Sequence, residues 1–235
     1  MSRPAEPSEG APPVIALDAV GKVAGRTTIL SDVSLQVHQG EALALMGPSG
    51  SGKSTLMAIL GMFTAWSSGS VRIGGVEVAK ASRHRNRARR QLGFGWVGQT
   101  PSFLPGRSVL DNVAVPLRVD GARRAPGAPL SECRDVLVGL GLGRSLRSSA
   151  SVLSGGEQQR LSIARALIAS RRVLLADEPT ASLDSASTEQ VIDALVSARG
   201  IRTLVVATHD PRVAARCTRT VWLEDGRIDR SGGVP

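Results

Sequence analysis

The chain has 235 residues, of which 42% are apolar, two are cysteine and none is tyrosine. That length and apolar content suffice for the core of one α/β domain, and no apolar run approaches the roughly 18 residues needed to span a bilayer, so the composition fits a cytosolic domain rather than a membrane one. Twenty-nine basic residues against 20 acidic ones leave a formal charge of +9, and only Lys22, Lys53 and Lys80 among the bases are lysines.

Residues 1–13 hold four prolines and little apolar content, which predicts a disordered tail, and they lack the apolar stretch of a secretion signal. From Val14 to Gln39, short apolar stretches alternate with glycine and polar turns, the pattern of an antiparallel β-layer. Ala42-Leu43-Ala44-Leu45-Met46 then reads as a buried strand. The loop after it, Gly47-Pro48-Ser49-Gly50-Ser51-Gly52-Lys53-Ser54-Thr55, fits G-x-x-x-x-G-K-[ST] and runs into the apolar stretch Leu56-Met57-Ala58-Ile59-Leu60. In that strand-loop-helix setting, glycines let successive backbone N–H groups curl around phosphate oxygens, and the positive end of the helix adds to the field. Lys53 reaches the β- and γ-phosphates while the Ser54 hydroxyl ligates Mg²⁺. A chance Gly/Ser turn would not hold Lys and Ser in register between two correct flanks.

Arg83, Arg85, Arg87, Arg89 and Arg90 make a dense basic run without interleaved aromatics, and their spacing scatters charge around a helix. A solvated face is the first reading of it, ahead of attraction to an anionic membrane surface or a partner loop, with nucleic acid last. Gln99, in Trp96-Val97-Gly98-Gln99-Thr100, precedes a mainly helical stretch at about 100–152 that contains a Gly/Pro/Arg loop at Gly121–Pro129. Cys133 and Cys217 are isolated in sequence and read as reduced thiols. Ser154, Gly155 and Gly156 stand before Glu157-Gln158-Gln159-Arg160-Leu161 as a helix N-terminus, which is an anion site. Val173-Leu174-Leu175-Ala176-Asp177-Glu178 reads as a fully buried parallel strand whose end reaches a ligand crevice. There Asp177 holds Mg²⁺ and Glu178 polarises an attacking water. Another buried strand near Leu204 ends at His209, and Val221 to Ile228 closes as a hairpin with an Asp225-Gly226 turn.

From about Val14 to Ile228 this set of motifs resembles the nucleotide-binding subunit of an ATP-binding cassette (ABC) transporter. The resemblance implies an α/β fold: a P-loop NTPase with a RecA-like core, an antiparallel β-subdomain and a helical subdomain at about 100–152, all within one ATPase domain over 14–235. It implies ATP and Mg²⁺ as cofactors and a homodimer closed head to tail around two MgATP. Ser154, Gly155 and Gly156 match the segment that caps the γ-phosphate held by the opposite subunit. Gln99, followed by Phe103-Leu104-Pro105, matches the glutamine that touches Mg²⁺ and relays movement to the membrane partner. Asp184, in Ala181-Ser182-Leu183-Asp184, matches the loop that crosses the dimer interface. His209 matches the histidine whose neutral ring nitrogen bonds the γ-phosphate and orients Glu178. Two positions depart from the family. Val23 stands where an aromatic residue usually stacks on adenine, and no Phe or Trp occurs before Phe63; Gly98 stands where an aromatic commonly precedes the glutamine.

The run Leu104-Pro105 with Val109 to Leu117, together with the short length, is similar to the group of macrolide exporters, lipoprotein-release ATPases and the cell-division ATPase. That likeness implies hydrolysis of ATP to ADP and phosphate, export or mechanotransmission through transmembrane permease subunits, and residence on the cytoplasmic face of the cell membrane. It leaves the substrate with the permease and implies no specific nucleic acid. A soluble ABC-type ATPase acting on DNA or ribosomes is a second reading, opposed by the absence of a long coiled coil and of a second cassette. A regulatory nucleotide-binding subunit with weak hydrolysis is a third, suggested by Val23 and opposed by Glu178 and His209.

Overall fold

The computed structural model describes residues 12–119, 128–169, 171–197 and 202–229. Its first two strands, β1 (Ile15–Ala24) and β2 (Thr27–Val37), pair antiparallel as the alternating pattern predicts. The register shifts at Leu17/Val20, Val20/Lys22 and Lys22/Val23, so the ribbon bends strongly. Next come β3 (Ala42–Met46), α1 (Lys53–Leu60), β4 (Ser68–Ile73) and β5 (Val76–Glu77). Strands β4 and β5, which the alternation before Gln39 does not reveal, complete a four-stranded antiparallel sheet of order β2-β1-β4-β5.

The chain continues with α2 (Ser82–Leu92), β6 (Phe94–Val97), α3 (Val109–Val119), α4 (Ala128–Gly139) and α5 (Gly155–Ile168). The last third holds β7 (Val173–Asp177), α6 (Ser185–Ser197), β8 (Thr203–Ala207), α7 (Pro211–Ala215), β9 (Arg219–Glu224) and β10 (Arg227–Ile228). The second sheet has the order β10-β9-β3-β8-β7-β6, parallel from β9 through β6 and antiparallel only at β10. Of the expected loop Gly121–Pro129, Ala128 and Pro129 instead open α4, and the remainder lies outside the described residues, as do residues 1–11 of the expected tail.

Strands β3, β7 and β8 are buried at every position, because each face of the parallel sheet meets its own core. The two-residue strand period divides β7 between them. Val173 and Leu175 join α1 and the antiparallel sheet in one cluster, while Leu174 and Ala176 join α3, α4, α5 and α6 in the other. The β9–β10 turn uses Asp225 and Gly226 at φ 45° and 72°, both left-handed, the geometry that suits a two-residue hairpin. Gly226 N–H donates to Ser51 O at 3.1 Å, which fastens this hairpin to the loop after β3.

Candidate active site

Between β3 and α1 the chain makes a tight loop that only glycine permits. Gly47, Gly50 and Gly52 have φ of 146°, 82° and 102°, and a Cβ on Gly47 would lie 2.0 Å from the Leu223 carbonyl oxygen. Gly52 caps α1 with no side-chain hydrogen bond. The loop therefore ends on first-turn N–H groups that no capping side chain satisfies. Lys53, only 8% exposed, folds back so that Nζ donates to Gly47 O at 2.7 Å and Pro48 O at 2.8 Å. Its charge is held over the concavity that its own loop encloses.

The C-terminal edge of the parallel sheet supplies the remaining groups. Asp177 closes β7 at 6% exposure, and its Oδ1 has no hydrogen-bond partner among the described residues. Burial pushes the Asp177 carboxyl above its ordinary value. A hydrogen bond from the Ser54 side chain and the charge of Lys53 pull it down, and the charge of Glu178 pushes it up. Glu178 takes a left-handed φ of 47° and donates its N–H to Ala207 O at 2.9 Å, a strained turn that is pinned to β8. Its Oε2 lies 2.9 Å from His209 Nδ1. An ionised carboxylate only accepts, so the hydrogen of this contact sits on Nδ1.

These residues line one cavity of about 700 Å³, formed by Gly47, Pro48, Ser49, Gly50, Gly52, Lys53, Ser54 and Thr55 with Gln99, Asp177, Glu178 and His209. Ile29 of β2, which no sequence pattern marks, lines it too, as does Ala181 at the start of the segment that leads to Asp184. Ser51 belongs to the same loop, but its hydroxyl is buried and has no hydrogen-bond partner among the described residues.

The other expected site residues lie off this cavity lining. Ser154 caps α5 with a full capping box, its hydroxyl and N–H both bonding the Glu157 carboxylate at 2.8 and 2.9 Å. Gly155 is open to solvent and Gly156 packs near Leu183. Asp184 precedes α6, where it accepts from Ser187 N–H and Ser187 Oγ at 2.9 Å each. Val23 is 45% exposed and donates its N–H to Ser67 Oγ at 2.9 Å.

The basic run forms α2, but one expectation about it needs correction: the fold does bring it an aromatic partner. Arg89 lies 5.0 Å over the Phe63 ring, which is itself 5.0 Å from Trp96. Arg85 donates to the Lys80 carbonyl, leaving Arg83, Arg87 and Arg90 on the exposed face. No helix among the described residues is long and apolar enough to cross a membrane.

A parallel sheet with a glycine-rich loop ahead of α1 and an acidic β7 edge on the same cavity defines a P-loop nucleoside triphosphatase. The sequence pattern of the family described as "ABC transporter" matches residues 30–181. The chain is 42% identical over 229 residues to the lipoprotein-releasing system ATP-binding protein LolD of Anaeromyxobacter dehalogenans (strain 2CP-C), across 94% of this chain and 95% of that one. It is 46% identical over 240 residues to the macrolide export ATP-binding/permease protein MacB 1/2 of Paracoccus denitrificans (strain Pd 1222), across 97% of this chain, which spans 35% of that relative. A dimeric structure of MJ0796, a bacterial ABC transporter cassette, superposes with a TM-score of 0.82 at 33% identity, over 92% of this chain and 97% of that one. The same cassette as a post-hydrolysis dimer bound to ADP and Pi gives a TM-score of 0.80 at 32% identity, over 92% of this chain and 97% of that one. The chain belongs to the ABC transporter family, as an ATP-hydrolysing nucleotide-binding subunit.

Proposed function

We propose that two copies of this chain close head to tail on two MgATP and drive a separate transmembrane permease from the cytoplasmic face of the cell membrane. One observation carries this reading. The cavity gathers Lys53, Gln99, Glu178 and His209, whereas the helix N-terminus at Ser154, Gly155 and Gly156 lies off its lining, with Ser154 and Gly155 exposed and Gly156 half-buried. A γ-phosphate bound over Lys53 is then open on one side, and a second copy supplies the missing donors through its Ser154 segment, with Asp184 at the seam. In support, MJ0796 is a dimer with ADP and Pi bound in one of its structures, and the LolD and MacB relatives are named for lipoprotein release and macrolide export.

In this reading Lys53 exchanges the Gly47 and Pro48 carbonyls for β- and γ-phosphate oxygens, and the loop N–H groups hold the rest of the triphosphate. Glu178 accepts the proton of the attacking water, while His209 fixes the carboxylate through Nδ1 and offers its other ring nitrogen to the phosphate side. The bare Asp177 Oδ1 beside Ser54 fits a cation. Ser54, Asp177 and Gln99 would hold Mg²⁺, which when bound neutralises charge on the phosphate oxygens. Val23 offers the base no π-face, so purine discrimination is weak.

Glu178→Gln tests the assignment. The amide keeps the shape but accepts a proton poorly, so the variant should bind ATP, lose most hydrolysis and elute as a dimer with MgATP. Wild-type turnover in that variant would remove Glu178 from the role of base.

A further inference from the structure

Gln159, in the second turn of α5, is 1% exposed, yet it carries a polar amide into the second core. Its Nε2 donates to the Gly98 carbonyl at 3.2 Å, and its Oε1 has no hydrogen-bond partner among the described residues. A buried amide satisfied at one end is less stable than an apolar side chain of the same shape. Packing therefore does not account for Gln159, and its single bond singles out what it holds: the peptide just before Gln99. Gly98 is also a residue on which a Cβ would come within 3.1 Å of Trp96 Nε1, so this peptide is confined from both sides. Three residues further along α5, Ser162 makes a second tie to the same segment, its Oγ accepting from Ser102 N–H at 2.9 Å and donating to Ser102 O at 3.2 Å. Gln99 itself reaches the cavity that contains Lys53, Asp177 and Glu178. The segment 98–102 is thus strapped at both ends to the helix whose N-terminus is Ser154.

We propose that Gln159 is a positioning residue for the ATPase reaction: its bond to Gly98 sets where Gln99 stands against the nucleotide. It touches no reacting atom and acts only through Gln99. The inference rests on the proposed role of Gln99 in the active site.

A double-mutant cycle tests it, with kcat, KM and ATP affinity measured for Gln159→Met, Gln99→Ala and the pair. Loss of one neutral hydrogen bond should lower kcat roughly three- to tenfold, with KM and ATP affinity nearly unchanged. In the Gln99→Ala background the same substitution should change kcat by less than about twofold, because the group it positions is gone. Gln159→Asn, which keeps the amide but shortens its reach, should reproduce the fall in kcat if the methionine variant folds poorly. A merely structural role would instead lower Tm and multiply with Gln99→Ala. Unchanged kcat in both Gln159 variants, or full multiplicativity, overturns the inference, whereas an inert Gln99→Ala overturns the underlying role of Gln99.

Discussion

Glu178 and His209 meet across two neighbouring parallel strands. Asp177 pairs with Ala207 at the ends of β7 and β8, and one and two residues beyond that pair Glu178 Oε2 and His209 Nδ1 stand 2.9 Å apart. The left-handed φ of Glu178 turns the chain at this point, and the bond from its N–H to Ala207 O fixes the turn to the strand that leads to His209. Sheet register and not loop length therefore sets the separation of these two side chains.

His209→Ala should lower kcat by about 100-fold, the range for a group that orients a general base. ATP affinity should change little, because Lys53 and the loop N–H groups remain. At 70% side-chain exposure the histidine makes no core contact, so thermal stability should stay within about 0.5 kcal/mol of wild type. Steady-state kinetics with a thermal melt checks both parts; a large fall in Tm would show that the histidine is structural.

Gly47→Ala should abolish nucleotide binding. The added methyl would meet the Leu223 carbonyl oxygen of β9 at 2.0 Å at a φ of 146°. The neighbour is backbone on a sheet strand, so it cannot yield, and the loop must leave its position. Gly50→Ala meets nothing within 4 Å and carries only the strain of φ 82°. It should retain binding at reduced affinity, which ATP titration of the two variants distinguishes; equal losses would contradict the steric argument.

The parts of this fold that local patterns encode were legible in the sequence. The strand before Gly47, the buried β7 ending in Asp177 and Glu178, the Ser154 helix start and the Asp225-Gly226 hairpin each depend on residues within one short window. Strands β4 and β5 were not, because β4 pairs with β1 across α1, and only the folded chain brings them together. The place of Val23 shows a different limit. Val23 follows three register shifts in β1, and each slip of one residue turns a side chain to the other face. The same shifts hide Ile29 of β2, which lines the cavity although no count along the chain points to it. Likewise Phe63, just past the end of α1, meets Arg89 of α2 only in the folded chain, with 25 residues of chain between them.

Acid should expose the capping box at Ser154. The Glu157 carboxyl is held below its ordinary value of 4.5 by the Ser154 backbone N–H and then by the Ser154 hydroxyl. Its contribution to stability is complete above the unfolded value and is lost as pH falls through the lowered folded value. Asp184, held down by Ser187 N–H, acts in the same direction, whereas the raised Asp177 acts in the opposite one. Glu157→Ala should therefore flatten the fall in stability below about pH 4.5, while Ser154→Ala lowers stability by about 1 kcal/mol at neutral pH. Urea melts across the acid range check this, and an unchanged acid slope in Glu157→Ala would contradict the box.

The central claim is that one active site needs two chains, and mixing two inactive variants measures it most directly. Lys53→Ala removes the phosphate-loop cation, and Ser154→Arg blocks the segment proposed to reach the other subunit's γ-phosphate. Each homodimer should be nearly inactive. A heterodimer pairs the intact Lys53 of one chain with the intact Ser154 of the other, and so should regain one competent site and measurable ATP turnover. Wild-type turnover by the Ser154→Arg homodimer would contradict the account and reduce the Ser154 segment to a helix cap.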